Sequence, residues 1–258
     1  MDATQFNEAQ STPPGTPAEL VNLSRVHRVY GTGIGSVHAL HDIDLQLHAG
    51  DMVAVCGPCG SGKTSLLNLA GMLETATEGN VVIASLLVSK LSEQARAELR
   101  SDMIGFVFQA SSLIPVMTVR ENVLLPLMLR DHLDVAELAA AHERAEALLV
   151  QVGLGTQAGH YPTRLDASQC QRVAIARALI GKPRLVVADE PTSRLDNGCI
   201  RLVMDLFARE QQAHGTAFLI STRDQRQLSR ATRTLQLNEG RLTGTQNGQT
   251  RRPLRVLL

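Results

Sequence analysis

The apolar run Met52-Val53-Ala54-Val55-Cys56, the octapeptide Gly57-Pro58-Cys59-Gly60-Ser61-Gly62-Lys63-Thr64 and the run Ser65-Leu66-Leu67-Asn68-Leu69 follow one another without a gap. A short continuous apolar run reads as a buried strand, the glycine-rich octapeptide as a turn, and the last run as a helix start. This order commits the chain to a strand, loop and helix unit. Its backbone N–H groups form a nest with the positive end of a helix dipole behind it, which suits a phosphate chain. Lys63 would reach the β- and γ-phosphates, and the Thr64 hydroxyl would ligate Mg²⁺. Glycines are needed because a Cβ would hold the backbone off the anion. Cys56-Gly57-Pro58-Cys59 also fits a C-x-x-C redox pattern, in which a helix N-terminus lowers a thiol pKa. Both readings need the same local structure, and the residues downstream favour phosphate.

At 258 residues and 44% hydrophobic content, the chain suits one large domain or a core with a small inserted lobe. Lys+Arg and Asp+Glu number 25 each, so there is no net positive field to draw a polyanion, and nucleic acid is not expected as a partner. No run approaches the roughly 18 apolar residues of a membrane span, and Met1-Asp2-Ala3-Thr4-Gln5 has no signal-peptide character. The expectation is a cytoplasmic protein that reaches a membrane only through a partner. Four cysteines in a chain of this size do not form a secreted disulfide framework.

Residues 1–18 are rich in Thr, Pro, Gln and Ser and read as a disordered leader. Val21-Asn22-Leu23 and Val37 to Leu47 alternate around the Gly31-Thr32-Gly33-Ile34-Gly35 turn, as antiparallel strands do. Met52 to Cys56 and Arg184 to Ala188 suit parallel strands buried on both faces. Thr118-x-x-Glu121, Asp134-x-x-Glu137 and Ser168-x-x-Gln171 read as helix starts, the second helix ending near Gly153 and the third at Gly181. The predicted fold class is therefore α/β, a mainly parallel sheet around the phosphate loop preceded by an antiparallel layer. A helical lobe is expected over 110–181 within a domain of 19–242, followed by a basic tail over 243–258.

Leu185-Val186-Val187-Ala188-Asp189-Glu190 is a buried strand ending in two acids, 126 residues after Lys63. At the C-terminal edge of such a strand, Asp189 would hold Mg²⁺ and Glu190 would polarise the attacking water as a general base. The bland alternative is an acidic pair that caps the next helix. Ile104-Gly105-Phe106-Val107-Phe108-Gln109 is a further strand ending in a polar side chain.

Taken together, these segments resemble the ATPase subunits of ATP-binding-cassette (ABC) transporters from about Val21 to Leu242. Gly57 to Thr64 matches the Walker A loop, Gln109 the Q-loop, Asp189 and Glu190 the Walker B pair, and Ser193-Arg194-Leu195-Asp196 the D-loop. The resemblance is closest to the group that drives lipoprotein release and macrolide or peptide export, through Ile104 to Gln109, Leu113-Ile114-Pro115, Thr118 to Val123 and Gln171 to Leu179. It implies ATP and Mg²⁺ as cofactors, a separate membrane permease and a second cassette, the same or different, as partners, and a position on the cytoplasmic face of the inner membrane. It assigns nucleotide contacts to Tyr30, stacking on adenine, to Gly57, Pro58, Cys59, Gly60, Ser61, Gly62, Lys63, Thr64 and Ser65, and to Asp189. Mg²⁺ falls to Thr64, Gln109 and Asp189, and catalysis to Glu190, Gln109 and the residue at the switch position. Leu113 to Pro126 would face the permease.

The chain departs from the family at two points. The signature Leu-Ser-Gly-Gly-Gln, which caps the γ-phosphate bound by the opposite subunit, is here Leu165-Asp166-Ala167-Ser168-Gln169. Asp166 puts an anion where a hydroxyl donor stands, and two unit charges about 4 Å apart repel by roughly 4 kcal/mol at an effective dielectric of 20. In Ser221-Thr222-Arg223-Asp224, Arg223 occupies the place of a switch histidine, where it could neutralise γ-phosphate charge but not shuttle a proton. The expectation is ATP binding, through a signature set of Asp166, Ser168 and Gln169, with slow hydrolysis. The alternative is an ATP-gated regulatory module with little or no turnover.

Overall fold

The computed structural model describes residues 18–33, 35–130, 134–223 and 230–247. Two long strands open the fold, β1 (Glu19–Tyr30) and β2 (Val37–His48), paired antiparallel as their alternation predicts. Then come β3 (Met52–Cys56), α1 (Lys63–Ala70), β4 (Glu78–Ile83), β5 (Leu86–Leu87), α2 (Glu93–Met103) and β6 (Ile104–Val107). Three helices follow, α3 (Val119–Met128), α4 (Val135–Gln151) and α5 (Ala167–Leu179). The chain returns through β7 (Leu185–Asp189), α6 (Asn197–His214), β8 (Ala217–Ser221), β9 (Arg233–Asn238) and β10 (Arg241–Asn247).

Among the described residues the strands form two sheets, one in the order β2-β1-β4-β5 and one in the order β10-β9-β3-β8-β7-β6. In the second, β9, β3, β8, β7 and β6 run parallel and β10 closes the edge antiparallel. Its strands alternate between two cores, as buried parallel strands must. Leu185, Val187, Ala217 and Leu219 join the core shared with α1 and the antiparallel sheet. Val186, Ala188, Phe218 and Ile220 join the core shared with α3 to α6, where Phe207 stacks on Phe218 at 4.7 Å.

Two sequence expectations change in the structure. The third helix is capped not by Ser168 but by Asp166, two residues earlier, and begins at Ala167; Asp166 Oδ1 accepts from Gln169 N at 2.7 Å while Gln169 Oε1 accepts from Asp166 N at 3.0 Å. Asp is as good an N-cap as Ser, and Gln171 is spent elsewhere, donating from a fully buried position to Phe108 O at 3.1 Å. The segment expected to be a tail from 243 is a strand as far as Asn247. Thr245 pairs with Leu235 and Asn247 with Arg233, so backbone bonds to β9 order a polar edge that no side-chain alternation announces. The leader over 1–17 and the basic end over 248–258 lie outside the described residues.

Candidate active site

Parallel sheets gather ligands at the C-terminal ends of their strands. Here adjacent strands β3, β8, β7 and β6 end, in that order, in the glycine loop, Ser221, Asp189 with Glu190, and the exposed Gln109 two residues beyond Val107. Gly62 caps α1 in the left-handed region at φ 100°, and a Cβ there would lie 2.4 Å from Ala39 O, so no other residue fits. Pro58, Cys59 and Gly60 are exposed, whereas Ser61 and Lys63 are buried. Lys63 Nζ donates to Gly57 O at 2.9 Å and Pro58 O at 2.7 Å. Ser61 Oγ is buried without a hydrogen-bond partner. A buried ammonium satisfied by carbonyls of its own loop, an orphaned hydroxyl and a helix start with no acid in its first turn are what an anion relieves. These residues therefore fit a phosphate chain.

The acidic side is wired together by hydrogen bonds. Thr64 Oγ1 donates to Asp189 Oδ2 at 2.8 Å, and Ser221 Oγ donates to Asp189 Oδ1. Glu190 N donates to Ser221 Oγ at 2.9 Å and to Ser221 O at 3.1 Å. These bonds hold Glu190 at φ 46°, a left-handed conformation that costs a non-glycine residue about 1–2 kcal/mol. Arg223 Nε then donates to Glu190 Oε1 at 2.7 Å, and this bond raises the guanidinium above its ordinary value. Thr64 and Asp189 present the hydroxyl and carboxylate that suit Mg²⁺, a hard cation of oxygen ligands.

Tyr30 reaches the same region from β1. Its hydroxyl donates to Glu74 Oε2 at 2.6 Å and lies 3.0 Å from Ser65 Oγ, while Arg28 covers one ring face 4.4 Å from the centroid. An adenine would have to stack on the opposite face. Asp166, Ser168 and Gln169 stand at the N-terminus of α5, and among the described residues no hydrogen bond joins them to the glycine loop, Asp189 or Glu190. Asp196 of the predicted D-loop caps α6, accepting from Cys199 N at 2.8 Å. Cys56 and Cys59 are free thiols, and burial pushes Cys56 up despite the Lys63 ammonium, against the redox reading.

Two residues escaped the sequence reading. Ser221 ties Asp189 to Glu190, and it ends an apolar strand in a polar residue, the same signal that singled out Asp189. Gln171, which the sequence offers only as the close of a helix-start pattern, braces the chain just before Gln109 through Phe108 O.

The sequence profile described as "ABC transporter" matches residues 40–193. The lipoprotein-releasing system ATP-binding proteins LolD of Pseudomonas fluorescens and Pseudomonas syringae pv. tomato are 43% and 44% identical over 213 residues, 83% of this chain and 92% of each relative. Among solved structures, the ATP-binding cassette MJ0796, a bacterial ABC transporter cassette seen as a dimer bound to ADP and Pi, superposes with a TM-score of 0.82. It is 34% identical, and the match covers 88% of this chain and 98% of that one. The chain belongs to the ABC transporter family, as an ATP-binding ATPase subunit.

Proposed function

We propose that this subunit powers lipoprotein release from the cytoplasmic face of the inner membrane, binding ATP with Mg²⁺ and hydrolysing it slowly. The hydrogen-bonded run Thr64–Asp189–Ser221–Glu190 beside the Lys63 loop carries the ATPase part. The cargo class rests on the LolD relatives. Lys63 and the loop amides hold the phosphates, Thr64, Asp189 and Gln109 hold the cation, and Tyr30 and Ser65 border the nucleotide. Bound Mg²⁺ supplies neutralisation of phosphate charge. Glu190, held by Ser221, accepts a proton from the attacking water. Asp166 and Arg223 account for the slow turnover, one adding an anion to the signature and the other lacking a proton shuttle.

The permease surface is proposed to be the groove of about 490 Å³ between α2, β6, α3 and α5, lined by Phe106, Phe108, Ile114, Leu125, Pro126 and Leu129. Leu129 and Met128 are exposed at its α3 edge, an apolar patch of the kind that marks an interface. No helix of the described residues is long and apolar enough to cross a membrane, so attachment through a partner fits.

The deciding experiment reconstitutes the chain with its permease in vesicles and follows phosphate release together with lipoprotein release. Glu190→Gln is expected to retain ATP while losing turnover by about 10²- to 10⁴-fold and stopping release. Release that continues with Glu190→Gln would favour the ATP-gated module instead.

A further inference from the structure

Arg223 and Glu190 differ in freedom. The guanidinium side chain is 53% exposed, whereas the Glu190 carboxylate is 13% exposed and its backbone is pinned to Ser221. Their 2.7 Å bond uses Nε, one of the five donors of the guanidinium. A carboxylate engaged in this way has surrendered a lone pair and its local charge, the two properties a proton acceptor needs. A half-exposed ion pair is weak, and a phosphate of higher charge that accepts in bidentate fashion is the better partner for a guanidinium.

We propose that Arg223 is a positioning residue that holds Glu190 idle through the Nε–Oε1 bond, and that the γ-phosphate of a nucleoside triphosphate draws the exposed guanidinium away and releases the carboxylate. The inference rests on the nucleotide reading above and adds an autoinhibitory contact to it. A diphosphate, with no γ-phosphoryl group to compete for Arg223, leaves Glu190 held. The chain thereby discourages water activation when the site is empty or filled with product.

The test compares affinities for a non-hydrolysable ATP analogue and for ADP, both with Mg²⁺, by equilibrium dialysis of the full chain. Arg223→Ala is expected to reduce the preference for the analogue over ADP by about fivefold or more, and Arg223→Lys to restore part of it. Glu190→Gln is expected to raise that preference by about three- to tenfold when Arg223 is present and far less when it is Ala. An equal gain in both backgrounds means simple removal of an anion and overturns the proposal. Independently of any Arg223 variant, the arginine Nε–H resonance that Glu190→Gln displaces must move with the analogue and stay with ADP. A resonance that both nucleotides move alike also overturns it. If the unaltered chain binds neither nucleotide, the nucleotide reading itself falls and the clamp falls with it. Binding of both without dependence on Arg223 sinks the clamp alone.

Discussion

At the scale of single residues, the site is a set of charges whose partners lie within its own loops. Lys63 is the clearest case, a buried ammonium bonded to the carbonyls of Gly57 and Pro58 and waiting for a stronger acceptor. Lys63→Ala is expected to weaken ATP binding by about 100-fold or more, the loss of a desolvated charge-assisted contact. Its unfolding midpoint should hold nearly constant, because only loop carbonyls lose a partner. Dialysis and a urea titration on the same preparation read both, and unchanged ATP affinity would contradict the phosphate-loop assignment. Lys63 and Asp189 stand out in the sequence because each sits where a local backbone pattern demands it. The Arg223–Glu190 contact does not, since the two residues are 33 positions apart and meet only where β7 and β8 end side by side.

Beyond the two apolar cores, a few polar ties join elements to one another, and some of them depend on charge. Glu74, beyond α1, joins β1 through Tyr30 and Arg28 and joins α1 through Asn68. Burial works to raise its pKa, but hydrogen bonds from Tyr30 and Asn68 and the Arg28 charge outweigh it, and the net value lies below the ordinary 4.5. A depressed carboxylate stabilises the fold above its unfolded pKa and loses that contribution as pH falls through the folded value. Tyr30→Phe is therefore expected to lower the urea midpoint at pH 7 and to lower it less below about pH 4. The same loss at both pH values would show that the Glu74 charge is not what the tyrosine stabilises. The α5 start offers a second test. Asp166→Ala should cost about 1 kcal/mol of stability through loss of the cap, whereas Asp166→Ser should keep the cap. With the permease present, the serine variant should also turn over faster, since it removes the anion from the signature. Equal turnover in Asp166→Ser and the unaltered chain would relieve Asp166 of blame for slow hydrolysis. The helix itself was legible as an S-x-x-Q pattern, but its start was misplaced by two residues. Two overlapping capping patterns compete there, and the contact of Gln171 with Phe108 O, 63 residues distant, decides between them.

For the molecule as a whole, the parallel sheet brings loop, acids and polar strand ends to one edge, while the apolar groove opens between α2, β6, α3 and α5. Leu129, 73% exposed on that groove, should tolerate Asp with a change in stability within about 0.5 kcal/mol and with ATP binding intact. Copurification with the permease should be lost, and undiminished copurification would remove the groove from the docking surface. Strand, loop and helix around Lys63, the acid-tipped strand at Asp189, and the capping boxes at Thr118 and Asp134 were determined by the sequence alone. Each is a demand of backbone geometry met within a few residues. Ser221 between the two acids, the ordering of β10 on β9, the tie from Tyr30 to Glu74 and the pairing of Arg223 with Glu190 were decided by tertiary structure. Partners so far apart along the chain carry no periodicity that records their meeting, and only the closing of the sheet brings them within bonding distance.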